Sequence, residues 1–157
     1  MYIKHGYQAI LQAPFGMLGI RCDGEALLGV SFLPENTKAQ YATSVLAEVV
    51  CEQLSHYFEK PDFLFTIPYK HAGSEHQRKV WQAMLNIPCG GTRQYGELAA
   101  ELQSSARAVG QACGANPLPI VIPCHRVVGR SGVGGFMQST GNSSLAIKHW
   151  LLKHEQC

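Results

Sequence analysis

Cys124, His125 and Arg126 stand consecutively inside Asn116-Pro-Leu-Pro-Ile-Val-Ile-Pro-Cys-His-Arg-Val-Val-Gly129, and these three residue types together can make a sulfur nucleophile. The reactive form of cysteine is the thiolate, whose population at neutral pH rises when a base takes the proton or a cation lies nearby. His125 offers the base and Arg126 the cation. Adjacency alone leaves two readings open, a catalytic thiol or a small side chain packed behind a buried segment. Ile120-Val121-Ile122 reads as a buried strand or extended segment that delivers Cys124 at its end. Asn116 before Pro117 reads as a turn residue.

The other cysteines, Cys22, Cys51, Cys89, Cys113 and Cys157, form no close pair. That spacing argues against a zinc module and, in a reducing compartment, against a disulfide framework. Cys22, Cys51, His5 and His71 likewise lack compact ligand spacing, so neither a metal nor another cofactor is expected.

The chain that must position these residues has 157 residues, 46% hydrophobic and 15% charged, which excludes disordered and collagen-like classes. No apolar run approaches the roughly 18 residues of a membrane span, and Met1 to Ala9 has no signal-peptide core, so a cytoplasmic protein is expected. The net charge of +2 conceals an asymmetry. Residues 1–70 carry 5 basic and 7 acidic side chains, and residues 71–157 carry 8 and 4, so a phosphate-bearing partner belongs to the second half.

The elements divide at the same place. Tyr7 to Leu11, Leu18 to Arg21 and Leu27 to Phe32 read as strands of a small antiparallel sheet. From Lys38 to Phe58 the apolar residues Val45, Leu46, Val49, Val50, Leu54, Tyr57 and Phe58 recur at three- and four-residue steps, which predicts an amphipathic helix. Phe63 to Ile67 reads as a further strand. Past the turn-rich stretch Pro68 to Ser74 the pattern is helical: Ser74 caps a helix bearing Val80, Trp81, Met84 and Leu85. Thr92 is expected to cap a second helix with Tyr95, Leu98, Ala99 and Leu102, and Ser104 or Ser105 a third over Ala106 to Cys113. Two short helices joined by a tight polar turn form a helix-turn-helix pattern. A last helix is expected over Ser144 to Glu155.

Pro123-Cys124-His125-Arg126-Val127-Val128, with Asn116 and Ala106-Arg107-Ala108-Val109-Gly110 before it, resembles the active-site region of the O6-alkylguanine-DNA alkyltransferases. The resemblance runs from about Gln77 to Glu155, through Val80-Trp81, Tyr95-Gly96-Glu97-Leu98-Ala99 and Lys148-His149-Trp150-Leu151-Leu152. It is looser in the first half, at Ala13-Pro14-Phe15-Gly16 and Tyr57-Phe58. It implies an α+β fold: a ribonuclease-H-like sheet-and-helix domain (1–70), then a mainly helical domain (71–157) with the helix-turn-helix and the cysteine. It also implies direct-reversal DNA repair, in which the cysteine takes the alkyl group from guanine O6, and O4-alkylthymine as a further substrate. The transfer is irreversible, once per molecule, on a monomer that binds double-stranded DNA, with cooperativity along it left open.

Carried onto this chain, the resemblance makes Cys124 the nucleophile, His125 a base acting through an ordered water, and Glu155 the carboxylate that orients the imidazole. Arg107 would fill the gap left by a base rotated out through the minor groove, on a helix whose Ala106, Ala108, Gly110 and Ala112 permit close backbone approach. Tyr95 would meet the target nucleotide, Asn116 would tie the recognition helix to the cysteine segment, and Arg126 and Val127 would complete the substrate-binding set. Arg126 is also expected to bond nearby carbonyls and act weakly on the thiolate. Gly129 to Ser144 would be the pocket lid, where Phe136 replaces a tyrosine usual in the family and the segment is several residues longer.

Two alternatives stay open on sequence: a non-catalytic relative that binds lesions, and a helix-turn-helix regulator with a structural Cys-His pair. Relatives of the first kind replace the cysteine, and major-groove readers of the second usually carry long polar side chains where this helix offers mainly Arg107 and Gln111.

Overall fold

The computed structural model describes residues 6–134 and 142–156. The chain divides into two compact units, Met1–His71 and Ala72–Cys157, each with its own elements, and the architecture is α+β.

In the first unit β1 (Ala9–Ala13), β2 (Gly16–Cys22) and β3 (Leu27–Leu33) form an antiparallel meander with β2 central. Pairing of Ala13 with Gly16 leaves Pro14-Phe15 as a two-residue hairpin loop. Helix α1 (Val45–Glu59) lies against the sheet and buries Ala47, Val50, Leu54 and Tyr57, spaced at helical intervals.

Three expectations change here. The helix read over Lys38 to Phe58 starts seven residues later, because Ser44 accepts the Ala47 amide at 3.1 Å and caps it. Upstream, Gln40 bridges Ile10 through reciprocal backbone bonds of 3.0 Å. Val45 and Val49, counted on the apolar face, instead point outward at 76% and 37% exposure. Phe63 to Ile67 forms no strand. Gln53 occupies its backbone and side chain, accepting the Thr66 amide at 2.9 Å and donating to the Thr66 hydroxyl at 2.9 Å, while Phe65 packs on Tyr57.

In the second unit α2 (Glu75–Leu85) opens on a reciprocal capping box between Ser74 and Gln77 and buries Val80, Trp81, Ala83 and Met84. Strand β4 (Arg93–Gln94) runs directly into α3 (Tyr95–Leu102), and α4 (Ala106–Gly114) follows under a Ser105 cap that accepts the Ala108 amide at 3.1 Å. Helices α3 and α4 form the helix-turn-helix pair. The Trp81 indole donates to the Ala112 carbonyl at 2.8 Å and fixes α4 on α2. Beyond a 3-10 turn (Cys124–Arg126), β5 (Val127–Val128) pairs in parallel with β4, and α5 (Asn142–His154) closes the unit.

Thr92 is not the cap of α3: Arg93 and Gln94 are engaged by Val127 and Val128, so the helix starts after them. Glu97 accepts the Gln94 amide at 2.7 Å across that start. Ile120-Val121-Ile122 is a turn rather than a strand. Ile120 takes φ +76, and the Ile122 amide donates back to the Leu118 carbonyl at 2.8 Å. The last helix begins at Asn142 rather than Ser144.

Candidate active site

Asn116 shapes the segment that carries the thiol. Its amide oxygen accepts the Leu118 backbone amide at 2.9 Å and its amide nitrogen donates to the Ile122 carbonyl at 2.9 Å, so one buried side chain closes the turn between them. The Cys124 amide then donates to the Ile122 carbonyl at 2.8 Å and the chain enters the 3-10 turn. Asn116 is a turn residue as read, and it is the side chain, not the backbone alone, that makes the turn.

Cys124 is 3% exposed. Burial pushes its thiol up to about 11, against the hydrogen bond from Asn116 and the charge of Lys148, which favour the thiolate. A thiol held neutral in this way needs a base at the moment of attack.

The imidazole next to it in the chain is held in orientation. His125 is fully buried, and its Nε2 lies 2.9 Å from Glu155 Oε2. Because the carboxylate only accepts, Nε2 carries the hydrogen and Nδ1 is left with its lone pair. Nδ1 is a buried nitrogen without a protein partner among the described residues. Burial lowers the imidazole below its ordinary range, Glu155 opposes that, and Arg126 and Lys148 reinforce the lowering, which favours the neutral ring.

Glu155 is 3% exposed and serves Arg126 as well as His125. Arg126 donates Nε to Oε1 at 2.9 Å and Nη2 to Oε2 at 3.0 Å, while its Nη1 reaches the Ile87 carbonyl at 2.6 Å. The carbonyl bond expected of Arg126 is present, but most of the guanidinium is spent on Glu155. The cation that acts on the thiol is Lys148.

Lys148 had no role in the sequence reading beyond its place in a motif, and it is fully buried. Its ammonium donates to the Val127 carbonyl at 2.8 Å, to the Val133 carbonyl, and to the Tyr95 hydroxyl at 3.4 Å. Burial brings it down to about 8. The signal lay in the helical spacing: Lys148 sits three residues before Leu151, on the buried side of α5.

Tyr95 is half-buried and its phenol is pushed up to about 12, chiefly by burial. The β4–β5 pairing sets the first residue of α3 beside Val127, and Gly134 approaches its ring so closely that a Cβ there would lie 2.9 Å from Cε2. Arg107 projects from the first turn of α4 and is exposed, with no ion pair among the described residues. The structure thus brings Tyr95, Asn116, Cys124, His125, Arg126, Val127, Lys148 and Glu155 together, and leaves Arg107 on the outside of the recognition helix. Phe136 lies outside the described residues. Among the described residues no group of three or more His, Cys, Asp or Glu side chains is placed to hold a metal.

Residues 75–157 match the family model described as "6-O-methylguanine DNA methyltransferase, DNA binding domain". The chain belongs to the O6-methylguanine-DNA methyltransferase family. A curated relative from Methanosarcina mazei, named methylated-DNA–protein-cysteine methyltransferase, is 36% identical over 96% of this chain and 97% of its own length. A Salmonella typhimurium protein of the same name is 41% identical over 83% of this chain and 75% of its own. The crystal structure of the Mycobacterium tuberculosis O6-methylguanine methyltransferase is similar with a TM-score of 0.79 at 32% identity, covering 94% of this chain and 90% of that one. A structure of the same bacterium's protein in complex with DNA gives 0.77 at 33% identity, covering 94% and 91%. The family is one of DNA-repair enzymes that transfer an alkyl group to a protein cysteine, and no helix among the described residues is long and apolar enough to cross a membrane.

Proposed function

We propose that this chain rotates O6-alkylguanine out of duplex DNA and transfers the alkyl group irreversibly to its own Cys124. The observation that carries the reading is the buried Cys124 thiol followed by the His125–Glu155 hydrogen bond of 2.9 Å, in the unit that also holds the helix-turn-helix.

Guanine O6 lies within the base stack, so the nucleotide must leave it, at a cost of a few kcal/mol. Helix α4 presents small residues at Ala106, Ala108 and Gly110, while Ala112 is buried against α2; the small residues suit close approach in the minor groove, and exposed Arg107 fills the space the base vacates. The minor groove also carries little sequence information, as a repair protein requires.

In the pocket the Cys124 thiol gives its proton, through one water, to His125 Nδ1 as sulfur attacks the alkyl carbon. The S–C bond forms, the C–O6 bond breaks, and the electron pair of that bond passes to guanine. Tyr95 supplies the proton that neutralises the departing base, with Lys148 beside its hydroxyl to hold the charge. Glu155 stabilises the imidazolium, and the Val127 carbonyl, with one lone pair turned to Lys148, keeps another for the base edge. The product is a thioether, outside the reach of thiol–disulfide exchange, so each molecule acts once. The first unit is a scaffold, and O4-alkylthymine is a second substrate of the same chemistry.

Equimolar protein and a duplex containing O6-methylguanine test this by intact mass. The expected result is a single added methyl group on Cys124, stoichiometric and without turnover. Unmodified protein that still binds the lesion tightly would establish a non-catalytic binder instead.

A further inference from the structure

Glu155 faces two donors that want the same charge. Arg126 takes both of its oxygens in a fork of 2.9 and 3.0 Å, and His125 takes what remains of Oε2 at 2.9 Å. The guanidinium is held from its far side as well, by the 2.6 Å bond from Nη1 to the Ile87 carbonyl. Ile87 is itself buried and anchored on α2 through its amide to the Met84 carbonyl at 3.0 Å. Three residues on, Gly90 sits at φ +87, where a Cβ would lie only 3.2 Å from the Glu155 carbonyl oxygen. The loop after α2 therefore braces both the guanidinium and the backbone of the residue that bears the carboxylate.

We propose that Arg126 is a positioning residue for alkyl transfer: by holding both oxygens of Glu155 in a charged fork, it keeps His125 in the neutral form that can accept the thiol proton. The proposal rests on the alkyl-transfer reading above. A buried carboxylate facing a histidine alone favours proton uptake by the pair, because the charged partners attract strongly away from water. A second, permanently charged donor on the same carboxylate removes most of that incentive.

The groups facing His125 are few. Lys148 comes from α5 and Glu155 from just beyond its end, and Cys124 and Arg126 from the histidine's own turn. The side of α2 offers the Ile87 carbonyl, while the charged Glu75, Arg78 and Lys79 of that helix are exposed. Arg93 of β4 is engaged by Glu101 at 3.0 Å. Of the two cations that oppose protonation of the ring, only Arg126 touches its carboxylate.

The test is the pH dependence of single-turnover methyl transfer, measured from about pH 5 to 9. Wild-type protein must first take one methyl group onto Cys124; if it does not, the functional reading fails before Arg126 is at issue. Arg126→Gln is expected to move the acidic limb of the profile upward by about one pH unit or more, since removing a nearby charge shifts a buried group by that order. Arg126→Lys, which keeps the charge and loses the fork, is expected to slow the reaction with little movement of the limb. A folded Arg126→Gln protein with an unmoved limb and a uniformly lower rate would overturn the proposal. Should Arg126→Gln fail to fold, Arg126→Met takes its place, with ring-labelled histidine followed by NMR. His125 titrating higher than in the wild type supports the proposal, and an unchanged titration overturns it, since burial alone already lowers the ring.

Discussion

Lys148 Nζ lies 3.4 Å from the Tyr95 hydroxyl and 5.6 Å from the centre of its ring, so a buried ammonium and a phenol meet beside Cys124 from different helices. The pair joins α5 to the first residue of α3, and the same ammonium bonds the Val127 and Val133 carbonyls. One cation therefore organises the phenol, the strand that follows the Cys124–Arg126 turn and the carbonyl of Val133.

Lys148→Met keeps much of the volume and removes the charge. Each buried carbonyl left unpaired costs about 1–3 kcal/mol, and loss of a preorganised donor at a reacting base costs about 10²-fold in rate. Single-turnover transfer should fall by about that factor. Stability carries a separate mark. Lys148 is down at about 8 in the folded protein, below its unfolded value, so between about pH 8 and 10 the unfolded chain binds the extra proton and stability gains with rising pH. Buried Cys124 and Cys113, up at about 11 and 12, act in the opposite sense over that range. Denaturant titrations of both proteins isolate the lysine: the wild-type minus Lys148→Met difference in stability should rise from pH 8 to 10.

What was legible in the sequence was what depends on neighbours in the chain. The Ser74 and Ser105 caps, the period of α2 and the adjacency of Cys124 and His125 are local, and local rules find them. The misses have the opposite character. Ser44 starts α1 late because Gln40 is bound to Ile10, thirty residues away. Arg93 and Gln94 are a strand only because Val127 and Val128 lie alongside, and no two-residue strand announces itself by alternation. Ile120-Val121-Ile122 has the composition of a strand, yet Asn116 folds it into a turn. Lys148 was hidden by its charge, which reads as surface unless its three-residue spacing from Leu151 is weighed against it. Residue type singled out Cys124 and His125, and long-range pairing built their surroundings.

Glu155→Gln should separate the relay from the DNA interface. The amide still accepts at one atom but presents donors to Arg126, so a buried guanidinium loses its anion, at a cost of about 3–5 kcal/mol for a broken buried pair. His125 also loses the charge that would stabilise its protonated form, and a loss of about 10²–10⁴-fold in transfer rate is expected. Binding to undamaged duplex should stay within twofold, because α4 is held by Trp81 and its own cap rather than by Glu155. Single-turnover kinetics and equilibrium binding on one preparation check both halves. Equal losses in the two would mean that the fold, not the relay, had failed.

Asn116→Ala removes the acceptor of the Leu118 amide and the donor to the Ile122 carbonyl at a residue 2% exposed. Two buried groups lose their partners, so destabilisation of about 2–5 kcal/mol is expected from denaturant unfolding. Asn116→Asp should do worse at neutral pH than at pH 4. The carboxylate can accept from Leu118 but repels the Ile122 carbonyl, and protonation restores one donor.

Arg107→Ala should leave the fold alone and damage only repair of duplexes. Arg107 is exposed on the first turn of α4, where the helix macrodipole mildly disfavours a cation, so unfolding free energy should change by less than about 0.5 kcal/mol. If its side chain occupies the stack after the base has left, its loss lowers the population of the extruded nucleotide. Transfer from duplex O6-methylguanine should then fall by about 10- to 100-fold, matching the few kcal/mol of unstacking that it no longer offsets. Free O6-methylguanine base needs no extrusion, and the rate of its transfer to Cys124 should be the same in the variant as in the wild type. A simple phosphate contact makes a different pattern. It would reduce the salt dependence of binding by about one counterion and weaken damaged and undamaged duplexes alike, without a selective loss in transfer. Measuring transfer rates on duplex and free base together with the salt slope distinguishes the two, and equal rate losses on both substrates would remove Arg107 from the extrusion step.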